Sequence, residues 1–415
     1  MRPQLSPRAA LCVFFLTFPC IAFAADWPNW RGPHGNGVTD ETKLPTTWSA
    51  TENVAWKVKL PGPGNSSPVV VGDRVFITSA TKKGALRSLL CFARADGKLL
   101  WQQDTAFGGK ETTHETNPYC SASPATDGKR VFVSHGSAGL LAYDVNGKKL
   151  WHRDLGPMRH IWGNASSPVL YEGTVIQLCG PGPETRLIAL DAKNGNPVWE
   201  NPLDEAKGKP DLYKGSWGTP VLHTQEGRTI LLIGLPQYVA AFDPGTGKEI
   251  WRCRGPGDLV YTNPLVGSGV VVCMSGYGGP AIGLRLPKPG ETGDVTDSHR
   301  LWVNSSKNPQ RVGTGVIAGD HAYVLNEPGV AECIELRTGK PVWKERAANM
   351  SWGSMVLSGD RIYVTDMQGQ TVVLRAGPKF ELLHENELGE TTRASPAVSN
   401  GQLFIRTYGH LYCIR

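Results

Sequence analysis

The chain has 415 residues, of which 40% are hydrophobic and 19% charged, with 49 glycines, 31 prolines and a formal charge of +6. A balance this mild, with no basic run, excludes a nucleic-acid-binding surface. So much glycine and proline excludes a largely helical body and points to a soluble, turn-rich, all-β one, too long for one ordinary core unless it grows by repetition.

The first 24 residues stand apart. Arg2 and Arg8 precede an apolar run that ends in Ala22-Phe23-Ala24, the form of a secretory signal cleaved after Ala24. The run is short for a membrane span, and no later stretch approaches one, so the mature chain is expected in the periplasm or outside the cell without a span. Lipid attachment at Cys20 is disfavoured because Phe18-Pro19 stand where small residues are needed. Residues 25–52 fit no repeat. They are predicted to pack on the domain that follows, with Trp27 and Trp30 as apolar anchors.

From residue 53 to residue 415 the chain repeats itself. "DGKLLW" ends at Trp101, "NGKKLW" at Trp151, "NGNPVW" at Trp199, "TGKEIW" at Trp251 and "TGKPVW" at Trp343, with "AWKVKL" around Trp56 and "RLW" at Trp302. Successive tryptophans lie 45, 50, 48, 52, 51 and 41 residues apart, the spacing of repeated supersecondary units. Each unit opens on a step such as "SSPVV" or "GTPVL" and continues as two short β-branched strands around a Gly, Asn or Asp turn. A third strand follows, then a tight turn whose glycine supplies a positive φ, then a fourth strand carrying the tryptophan.

Four antiparallel strands at this period predict an all-β fold, a β-propeller, and the openings at Ser66, Ser121, Ser166, Gly218, Thr262, Gly313, Gly353 and Ala394 make it eight-bladed. The last unit stops at "GHLYCIR" without a tryptophan strand, whereas the first repeat begins with one. Asn53 to Leu60 is therefore predicted to complete the eighth blade and close the ring. The fifth unit carries an insertion from Leu286, and the seventh has lost its tryptophan. The tryptophans of the outer strands are predicted to be buried against the neighbouring unit. Seven cysteines remain after the signal, an odd number. Cys91, Cys333 and Cys413 occupy positions held by Ala142, Ala189 and Ala241 in other units, so buried small hydrophobes are expected rather than disulfides.

The pattern "SPVV..DRVF....L.A.D..TGK..W" resembles the pyrroloquinoline-quinone (PQQ) type propeller repeat over nearly all of the mature chain. Five copies keep both the turn glycine and the tryptophan, and the WD40 and kelch signatures fit worse. The resemblance implies one of two functions. BamB, the outer-membrane assembly factor, is an eight-bladed scaffold of similar length that binds other proteins without a cofactor. Quinoprotein dehydrogenases hold PQQ and a calcium ion on the propeller axis beside an Asp base. The adjacent cysteines and large insertions typical of those enzymes are missing here, as is a Cys-x-x-Cys-His haem motif. The expectation is a monomeric, non-catalytic binding protein of the envelope with no cofactor. A PQQ- and calcium-dependent alcohol or sugar dehydrogenase is the alternative.

In a propeller the loops from each outer strand to the next inner strand gather at one mouth of the channel. Here they carry His114, Tyr119, Arg159, His160, Trp162, Asn164, Trp217, Tyr261, Arg311, Trp352 and Arg393, a candidate funnel of aromatic and polar groups. Arginines beside aromatics suggest an envelope protein or a small anionic or extended ligand. His114 and His160 lack metal-ligand spacing, and Glu115 with Asn117 is too common a pair to mark calcium. No nucleophile elbow, phosphate loop or zinc-protease helix appears, so no residue is assigned to catalysis.

Overall fold

A computed structural model describes residues 26–203, 213–305 and 311–415; the signal segment and its cleavage site lie outside them. Eight four-stranded antiparallel blades form the ring. Blade 1 comprises Val69–Val71, Arg74–Thr81, Leu86–Ala93 and Leu99–Ala106. Blades 2 to 8 begin at the inner strands Ala125–Thr126, Val169–Tyr171, Val221–Gln225, Leu265–Gly267, Val316–Ala318, Val356–Ser358 and Ala397–Ser399. The fourth strand of blade 8 is Val54–Lys59, paired antiparallel with His410–Ile414, so the ring closes through the N-terminal strand as the sequence predicts. All seven cysteines in the described residues are buried and unpaired.

The repeated turn-and-tryptophan phrase joins blade to blade. The indole N–H of Trp56 donates to the Arg94 carbonyl at 2.8 Å, Trp101 to Val145 at 3.1 Å, Trp151 to Ala192 at 3.2 Å and Trp199 to Pro244 at 3.0 Å. Trp302 and Trp343 do the same to Leu336 and Gly377. Each acceptor lies in the next blade, near its last hairpin turn. At Gly147 (φ 91°) a Cβ would stand 2.7 Å from the Trp101 ring, so the turn glycine answers both a backbone need and the closeness of the neighbouring indole. Burial is less uniform than predicted. Trp56, Trp151 and Trp251 are buried, but Trp101, Trp199, Trp302 and Trp343 are half-exposed, because at the rim a turn covers one face of the ring and water meets the other. Trp251 is sealed by the insertion of blade 5, whose strand Gly293–Asp294 pairs in parallel with the Trp251 strand.

A second device ties the inner strands together. The residue at each unit's opening step accepts, on its side chain, a hydrogen bond from the backbone N–H of the preceding blade. Ser67 donates to Ser123 (2.8 Å), Ser123 to Ser167, Ser167 to Thr219 and Thr219 to Asn263. The series continues from Asn263 to Thr314, Ser354 and Ser395, and returns from Ser395 to Ser67 at 2.9 Å. Eight short polar side chains thus complete a closed circle around the axis. In six of them the following proline holds the residue extended.

The N-terminal extension does more than cover the ring. Trp27 exchanges backbone hydrogen bonds with Val70 on the inner strand of blade 1, and Thr126 N–H of blade 2 donates to Pro28. The chain then turns through Arg31, Gly32 and Gly35, all at positive φ, and returns as Val38–Thr39, paired in parallel with the inner strand of blade 7. A Cβ on Gly32 would lie 2.7 Å from the Trp27 ring, so the turn folds back tightly on its own anchor. The Arg31 guanidinium reaches the adjacent blades 6 and 7, donating to the carbonyls of Thr314 (3.0 Å), Gly315 (2.6 Å) and Met355 (3.3 Å). This hairpin-like plug enters past the turns that join first to second strands, where Asp26 accepts from Gly72 N–H and the Glu41 carboxylate from Asn400 and Gly401.

Candidate functional site

In an up-and-down blade, the connections from second to third strand open on the same face as those from fourth strand to the next blade. Both sets surround a cup of about 620 Å³ above the serine and threonine circle. Ser123, Ser167, Thr219, Ser354 and Ser395 of that circle line it, together with Trp30 at the tip of the plug. The channel is therefore a blind cup.

One wall is aromatic. Gly215–Ser216 and Leu259–Val260 pair in parallel across two adjacent loops, which sets Trp217 beside Tyr261 with ring centroids 5.2 Å apart at 71°. Trp162 packs 5.9 Å from Trp217 and meets Tyr213 edge-on at 6.0 Å. His160 supports Trp217 at 4.8 Å, and the Trp217 indole N–H donates to Gly163. Burial pushes up the pKa of the Tyr261 phenol, which stays protonated. Each ring is braced by the next, so the wall is preorganised.

The other walls are polar. His114 Nδ1 lies 2.8 Å from Thr116 Oγ1, and the Asn117 amide donates to the carbonyls of Trp162 and Asn164. Asn65 donates to Thr116. Across the cup, the Trp352 indole N–H donates to Glu327 Oε1 at 2.8 Å, and the Arg393 guanidinium lies 5.0 Å over the Trp352 ring while donating to the Tyr408 hydroxyl. Burial lowers the Arg393 pKa from its ordinary value.

Of the residues predicted at the funnel, His114, Trp162, Trp217, Tyr261, Trp352 and Arg393 line the cup. The other five stand elsewhere. His160 is buried behind Trp217, and Asn164 donates to Glu111 Oε1. Tyr119 stacks under Arg87, which forms a buried ion pair with Glu111. Arg159 is exposed outside the cup. Arg311 is buried against Glu332, which also pairs with Lys344. An anionic partner therefore loses its expected basis: of the three arginines, Arg393 alone lines the cup, and the carboxylate of Glu327 faces it. Tyr277, Glu327, Asn65 and Trp30 were missed. For Tyr277 and Glu327 the signal was available in strand parity, since "SGYGG" and "NEPG" connect second to third strands.

The family model described as outer membrane protein assembly factor BamB matches residues 49–252, 290–376 and 327–414, most of the chain. The chain belongs to the BamB family. BamB from Bordetella pertussis is 23% identical over 413 residues, covering 95% of this chain and 93% of that protein. In structure, BamB from Moraxella catarrhalis superposes with a TM-score of 0.61 at 17% identity, covering 86% of this chain and 95% of its own. A quinohemoprotein alcohol dehydrogenase from Comamonas testosteroni gives 0.62 at 14%, covering 94% and 80%, so the two classes share this fold. The donor set of this BamB-family cup does not fit a quinone held with calcium. Calcium takes about six to eight oxygen ligands, commonly including carboxylates. The lining here offers one carboxylate, and among the described residues no three His, Cys, Asp or Glu side chains are grouped to hold a metal.

Proposed function

We propose that this BamB-family propeller is an exported, non-catalytic binding scaffold of the cell envelope, working without a cofactor, and that the cup is its capture surface. The observation that carries this reading is the blind, aromatic-walled cup itself, set on a ring closed by strand pairing and by the circle of eight side chains. Rings braced by one another lose little entropy on binding, and large aromatics in concave sites dominate recognition. The name borne by the relatives, outer membrane protein assembly factor, supports placing this chain in the envelope.

The test is capture from envelope extracts by immobilised protein, wild type against Trp352→Ala, with PQQ and calcium added in a parallel dye-linked alcohol oxidation. Wild type should retain an envelope component that Trp352→Ala loses, and dye reduction should stay at background. Dye reduction that requires PQQ and calcium would overturn the reading.

A further inference from the structure

We propose that the cup binds the end of a neutral oligosaccharide, an assignment that rests on the cup being the capture surface and names what it takes. The argument starts from shape. About 620 Å³ lies within the range of roughly 300–1,000 Å³ typical of small-ligand sites, and the floor of hydroxyls and Trp30 blocks passage, so the cup accepts a chain end.

The walls then select the chemistry. A pyranose ring presents C–H groups on its faces and hydroxyls around its rim. Trp162, Tyr213, Tyr261 and Tyr277 supply aromatic surface for the first, and Trp217, 8% exposed, braces Trp162 and Tyr261. Asn65, His114 and Thr116 supply amide, imidazole and hydroxyl groups for the second, while the Asn117 amide hydrogens already go to the Trp162 and Asn164 carbonyls. Tyr277 is 71% exposed at the cup and Tyr213, edge-on to Trp162, is 66% exposed, so both leave aromatic surface in water.

Charge narrows the class further. The lining carries one guanidinium, Arg393, and one carboxylate, Glu327, so it offers an anion no net attraction. Both are already engaged through Trp352, which leaves their remaining hydrogen-bonding capacity for neutral hydroxyls.

The full mature chain should be titrated with cellotetraose, maltotetraose and chitotetraose, followed by tryptophan fluorescence and saturation-transfer NMR. At least one should bind saturably, and both Tyr277→Ala and Trp352→Ala should weaken it about tenfold or more. Tyr277 is exposed, so its variant should keep the wild-type melting temperature and separate lost binding from lost folding. A tetragalacturonate probe should bind more weakly than its neutral counterparts. The assignment is overturned if no neutral tetrasaccharide binds at millimolar concentration, if binding ignores both substitutions, or if the acidic probe or a peptide from the extract binds better. Should the sugars fail while Trp352→Ala still abolishes capture from extracts, the glycan assignment falls and the cup as capture surface stands.

Discussion

Trp251 and Trp352 are the same side chain under different forces. Trp251 is 2% exposed and sits in a cluster with Val239, Ala241, Cys253 and Ile282. Trp251→Ala should cost about 3–5 kcal/mol, as large core truncations do, measured by urea unfolding. Trp352 is half-buried and held by one hydrogen bond and one guanidinium, so Trp352→Ala should cost far less while removing capture. Equal losses with capture intact would show that the cup is only a packed cap. Glu390 works through charge. It accepts from Lys57 (2.8 Å), Thr407 (2.6 Å), His410 (2.8 Å) and Tyr412 (2.8 Å), pinning the closing strand to blade 8. Burial alone would raise its pKa, but these donors outweigh burial and hold it at about 2, below the ordinary 4.5. A depressed folded value stabilises above the unfolded pKa, and the contribution is lost as pH falls from about 4.5 through 2. Glu390→Gln should melt lower than wild type above pH 5, and the gap should close as the pH approaches 2.

Among the elements, the plug depends most on contacts distant in sequence. Arg31 is buried, its pKa lowered to about 9 by desolvation, and its guanidinium ties residues 26–41 to blades 6 and 7 through backbone carbonyls. Removing it leaves buried acceptors unpaired, and hydrogen bonds to a charged group contribute about 1.5–3 kcal/mol. Arg31→Ala should lower the melting temperature and speed trypsin cleavage after Lys43, which is already at the surface, while the blades stay resistant. An unchanged digestion pattern would mean that Trp27 and the pairing of Val38–Thr39 suffice to hold the plug.

For the whole molecule, ring closure converts eight separate blades into one cooperative unit. Its elements join distant chain ends: Val54–Lys59 pairs with His410–Ile414, and Ser395 N–H donates to Ser67 across 328 positions. Deleting Val54–Lys59 would strip the edge of His410–Ile414 and expose an unpaired strand, a template for association. The deletion variant should aggregate in size-exclusion chromatography and lose its sharp thermal transition. A monomer with an unchanged melting temperature would refute this order of blades.

The sequence by itself determined the blade count, the closing strand and the recurrence of a turn glycine and an outer-strand tryptophan. These are set by contacts that recur at one offset, so each appears in the text of the chain as a period. The opening Ser, Thr and Asn residues were visible for the same reason, although their side-chain circle was not. Only the tertiary structure decided which loop residues meet. Trp162 turns into the cup while Asn164, two residues on, turns back to Glu111, and the loop residue Arg311 is taken by Glu332 on the third strand of blade 6. Trp30 reaches the floor because Arg31 bonds to Gly315, 284 positions away. Loop side chains point where unlike neighbours, charges and buried carbonyls direct them. Those partners follow no period, so nothing local in the chain announces them.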